Sequence, residues 1–128
     1  MRTIWILLGV AAMACGCSKG TPTQAGGKPV SFWIQEMKNP DAKARRHAVA
    51  KLGNVGATDP AVPPGLQSAL SDADSGVRAE AILALMKCGP TAKDAIPALT
   101  EMQTKDRDAQ VREYAGKALA KLRSEVKY

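Results

Sequence analysis

The sequence predicts an all-α fold, a short solenoid of about six helices paired into hairpins. Three segments repeat one another: NPDAKARRHAVAKLGNVG from Asn39, DADSGVRAEAILALMKCG from Asp72 and DRDAQVREYAGKALAKLR from Asp106. The spacing is 33 residues and then 34, the range of helical repeats in which each unit buries its apolar face only against a neighbour. Composition agrees. Aromatic residues make up 4% of a 128-residue chain, so the core must be aliphatic, and alanine-rich aliphatic cores suit closely packed helices.

Residues 1–17, MRTIWILLGVAAMACGC, carry one basic residue, an apolar run from Ile4 to Ala14 and then small residues. That is the layout of a secretory signal, and the run is shorter than the roughly 20 residues a spanning helix needs. Its end, AMACGCSKG, resembles the lipobox of bacterial lipoproteins. The resemblance implies lipidation of Cys17, preceded by Ala14 and Gly16, or alternatively of Cys15, although neither has the favoured leucine three residues earlier. The other outcomes are plain secretion and an uncleaved N-terminal anchor. A lipid would make the chain anchored rather than spanning, in the bacterial cell envelope and facing the periplasm or exterior. Residues 18–30, SKGTPTQAGGKPV, are expected as a flexible linker, and residues 31–128 as the repeat domain.

The first helix of each unit follows from its repeat. Asn39, Asp72 and Asp106 are expected as N-caps, with Asp41, Asp74 and Asp108 in the first turn favouring the positive end of the helix dipole. Val77, Ala81, Ala84, Leu85 and Cys88 recur at helical intervals, as do Val111, Ala115, Ala118, Leu119 and Leu122. Gly56 and Gly89 close the first two copies. Second helices follow in AVPPGLQSALS and KDAIPALTEMQ, with prolines in the first turn, where they do least harm. SFWIQEMK aligns with them as the second helix of a truncated leading unit. Ile82, Leu83 and Met86 make the middle helix apolar nearly all round. In the last copy Gly116, Lys117 and Ala120 take those places, which predicts a terminal cap with one polar face.

The recurring D-x-D-x-x-V-R-x-x-A-x-x-A-L-x-x-x-G, complete from Asp72 to Gly89, resembles the short HEAT-like repeat also seen in phycobilisome lyases. It covers Ser31 to Arg123; the first copy has Ala44 in place of valine and the third lacks the glycine. What the resemblance implies is a right-handed α-solenoid of HEAT-like helical hairpins whose second helices line the concave face.

Groups able to do chemistry fall on scaffold positions. Arg45, Arg78 and Arg112 recur with the acids and read as a ladder of ion pairs. Cys88 is the one cysteine beyond the signal, and its repeat partners Val55 and Leu122 are apolar, so it reads as a buried small hydrophobe. His47 is the single histidine; it finds neither a catalytic triad nor further metal ligands. No cofactor, metal or small-molecule substrate is expected, and no enzyme.

The expected function is a non-catalytic protein-interaction scaffold, exported and lipid-anchored, whose partner is a protein. Its contact face is predicted beside Trp33, Leu66 and Leu99, at Gln35, Gln67, Ser68, Thr100 and Glu101. The alternative is a subunit of the bilin-lyase-like enzyme class. A third reading, nucleic-acid binding, draws on the net charge of +6 and the run Lys43–Arg46. Interrupting acids, few aromatics and export stand against it, so no nucleic acid is expected.

Overall fold

A computed structural model describes residues 23–126. The expected signal segment, Cys15 and Cys17 lie outside the described residues. Six α-helices follow a short hairpin: β1 (Gln24–Ala25), β2 (Lys28–Pro29), α1 (Val30–Glu36), α2 (Ala42–Val55), α3 (Val62–Ala69), α4 (Ser75–Cys88), α5 (Ile96–Lys105) and α6 (Ala109–Glu125). The long helices α2, α4 and α6 pack side by side in one layer. Each of α1, α3 and α5 packs against the long helix that follows it, forming the second layer. This is the all-α solenoid that the repeat predicts.

The core lies between the layers and is aliphatic. Leu52, Leu66, Leu85, Leu99 and Leu122 are wholly buried, and so are the repeat-equivalent Ala48, Ala81 and Ala115. Small residues at those three positions let the long helices approach. At the tightest point a Cβ on Gly53 would sit 2.8 Å from the Cβ of Ala84. In α4, Ile82 is buried and Met86 half-buried between neighbours, whereas Leu83 is exposed, so the helix is apolar on fewer sides than expected. In α6, Lys117 and Ala120 are exposed and Gly116 is half-buried.

Two expectations are corrected. The N-caps are Asp41, Asp74 and Asp108, two residues later than predicted: their carboxylates accept from the amides of Lys43, Val77, and Gln110 with Val111. Asn39, Asp72 and Asp106 instead accept from the amides of those capping acids at 2.9 Å each. This closes a turn just before the helix. A side chain two residues ahead of an amide makes such a turn readily, so D-x-D distributes two tasks between its acids. The linker expected over 18–30 is also folded over part of its length. Gly26 and Gly27, both at positive φ, turn β1 onto β2. The buried Trp33 indole then donates to the Ala25 carbonyl at 2.7 Å, and Ala25 joins the core. A buried indole N–H requires an acceptor, and the hairpin supplies it.

Both closing glycines behave as predicted. Gly56 and Gly89 have φ of 60°, a backbone state that penalises any Cβ. Each leads into a 3-10 turn, Gly56–Thr58 and Gly89–Ala95.

Candidate functional site

The acid turns position a buried ladder across the units. Arg45 Nε and Nη2 donate to the two oxygens of Asp72 at 2.9 and 3.0 Å. Arg78 does the same to Asp106 at 3.0 and 2.9 Å. The second pair is the more enclosed, with side chains 8% and 7% exposed. Burial acts to raise the pKa of each aspartate, but it is outweighed. Hydrogen bonds from the guanidinium and from the amide two residues on, together with nearby arginine charge, leave Asp72 and Asp106 below the usual carboxylate value. These two rungs thus join unit to unit and are satisfied internally, whereas the Arg112 guanidinium bonds only the Asp106 carbonyl among the described residues. Of the basic run Lys43–Arg46, only Lys43 and Arg46 point outward, and Arg46 lies 3.7 Å from Glu80.

The layer of α1, α3 and α5 carries two grooves related by the repeat. One, of about 190 Å³, lies between α1 and α3, walled by Ile34, Met37, Gly65, Ser68 and Ala69. The other, of about 240 Å³, lies between α3 and α5, walled by Leu70, Ala98, Glu101 and Met102. Met37 and Leu70, Gly65 and Ala98, Ser68 and Glu101, and Ala69 and Met102 are equivalent positions. The first groove is open because Gly65 has no side chain: a Cβ there would touch Ile34 Cγ1 and Met37 Cε at 3.8 Å. Both are smaller than the roughly 300–1,000 Å³ of small-molecule sites, a size for single protruding side chains.

The predicted contact residues divide. Ser68 and Glu101 stand at matching rims of the two grooves, and Gln35 is exposed in the same row. Gln67 turns away to a separate hollow beside Pro63, Pro64 and Thr91, where its amide donates to the Asp94 carbonyl at 3.3 Å. Thr100 donates to the Ile96 carbonyl at 2.8 Å and lies at no groove. The apolar walls Ile34, Met37 and Met102 are not among the predicted contact residues. Their half-buried state, seen only when helices are set side by side, marks them as groove residues.

Elsewhere Cys88 is buried, which pushes its thiol pKa up. His47 packs its ring 5.4 Å from that of Trp33. Among the described residues no three of His, Cys, Asp and Glu converge to hold a metal. Among them, too, no helix is long and apolar enough to cross a membrane.

A family model for HEAT repeats matches residues 30–121. No curated protein matches the chain. Among solved structures, the crystal structure of an engineered protein is similar with a TM-score of 0.58 at 23% identity, over 75% of this chain and 46% of that one. The likeness is one of fold, and the chain spans less than half the length of that engineered protein.

Proposed function

Because the chain belongs to the HEAT-repeat family, we propose that it is a non-catalytic scaffold that holds another protein at the cell envelope. The observation carrying this reading is the pair of repeat-related grooves, lined at equivalent positions and set apart by the spacing of adjacent helices, about 10 Å. A partner segment with two apolar side chains at that separation fills both. The row Gln35, Ser68 and Glu101 lends polar contacts at the rims, the arrangement of an apolar centre and wetted edge that protein interfaces use.

Anchoring rests on the lipobox-like residues about Cys17 and Cys15. Five residues separate Cys17 from Thr23, a reach of at most about 22 Å. A lipid on Cys17 therefore keeps the hairpin end close to the bilayer.

The experiment is site-specific photocrosslinking in native envelopes, with probes at Ser68 and Glu101 and a control probe at Lys87, on α4. A common adduct from the two groove probes, absent from Lys87 and lost in Gly65→Leu, supports the reading. Equal adducts from all three positions sink it. Fractionation of Cys17→Ala and Cys15→Ala tests the anchor separately: release of either variant from the membrane identifies the lipidated residue.

A further inference from the structure

The ladder of arginines runs one rung beyond its acids. Arg45 and Arg78 are held alike: Nη1 donates to the carbonyl six residues earlier, Asn39 at 3.0 Å and Asp72 at 2.9 Å. Their remaining edge, Nε and Nη2, grips the aspartate of the next unit. Arg112 repeats the first half, its Nη1 donating to the Asp106 carbonyl at 2.6 Å. Among the described residues no carboxylate pairs with its Nε–Nη2 edge.

Outside the described residues, positions 127–128 bring no acidic side chain. Residues 1–22 contain no Asp or Glu. A second copy stacked on this end does not complete the rung either. The first unit carries Asn39 where the others carry Asp72 and Asp106, and a side-chain amide offers one acceptor oxygen and no charge where a carboxylate offers two oxygens. Among the described residues the ladder thus begins neutral and ends cationic. Along α6 the row from Arg112 continues through Gly116 and Ala120, with the Gln103 amide of α5 lying over Gly116.

We propose that Arg112 is a carboxylate-binding site that receives an aspartate of a partner protein, presented from a turn as Asp72 and Asp106 are. Both inner rungs show the fit, two parallel N–H···O bonds that match a planar guanidinium to a carboxylate. This site is separate from the grooves between the second helices, so either assignment can fail alone.

The test titrates the isotopically labelled full chain with a capped peptide of residues 70–77, which carries the Asp72 turn without its own arginine. The readout is the Nε–Hε resonance of Arg112, assigned by its absence in Arg112→Lys. A saturating shift is expected, with binding at least about tenfold weaker for the Asp72→Asn peptide. Equal responses to the two peptides overturn the proposal, as does no response. An equal response to inorganic phosphate at the same concentration makes Arg112 a general anion site and overturns the aspartate assignment.

Discussion

Asp106 accepts both edge nitrogens of Arg78 and the amide of Asp108 while its side chain is 7% exposed. Removing it leaves a buried guanidinium without a counter-charge. Asp106→Ala is therefore expected to destabilise the chain by about 3–5 kcal/mol, read as a lowered urea midpoint. Asp108→Ala, which removes only a helix cap, is expected to lose about 1 kcal/mol in the same assay. The ranking tests the division of tasks within D-x-D, since the reverse order would return the structural weight to the cap. Cys88 is enclosed and its thiol pKa is raised by burial, which keeps thiolate scarce. Alkylation of native chain should be slow and should accelerate only as denaturant unfolds it; rapid native labelling would contradict the packing around α4.

At the scale of elements, two glycines in helices invite opposite outcomes. A Cβ on Gly53 would stand 2.8 Å from Ala84 Cβ and 3.2 Å from Ala84 Cα, so α2 and α4 must part to admit it. Alanine improves helix propensity by about 1 kcal/mol, but overpacking costs about 1–3 kcal/mol, and Gly53→Ala is expected to lower the melting temperature. On α6 a Cβ at Gly116 meets the Gln103 amide at 3.1 Å, the end of a flexible side chain that can move. Gly116→Ala is expected to hold or raise the melting temperature. Helix positions, the stripe from Val77 to Cys88, and the closing glycines were legible from residue spacing because they are local demands of a helix. The capping register was not: each copy offers two candidate side chains two residues apart, and residue spacing alone does not place a helix start that finely. The hairpin was hidden for a similar reason. GlyGly within a polar stretch reads as a linker until Trp33, eight residues from Ala25, requires an acceptor for its indole.

Over the whole molecule the ladder makes stability depend on acid. Asp72 and Asp106 have folded-state pKa values below their ordinary value. Their contribution is complete above the unfolded carboxylate pKa of about 3.9 and is lost as pH falls through the lower folded values. Thermal midpoints should be flat from about pH 8 to 5 and fall below about pH 4, and the acid loss should shrink in Asp106→Ala. What the sequence by itself determined is the repeat, and with it the number of helices, their apolar stripes and the arginine ladder, because a solenoid writes its neighbour contacts into every unit. It also marked the second-helix face, where Ser68 and Glu101 occupy equivalent rims. Only the tertiary structure decided which acid caps and which pairs, that residues 24–29 fold onto Trp33, and that Gly65 opens a groove while Gln67 and Thr100 turn elsewhere. The pairing of Asp72 and Asp106, the groove at Gly65 and the turn of Gln67 depend on atoms from different units meeting within about 4 Å, and helical periodicity within one unit does not contain that distance.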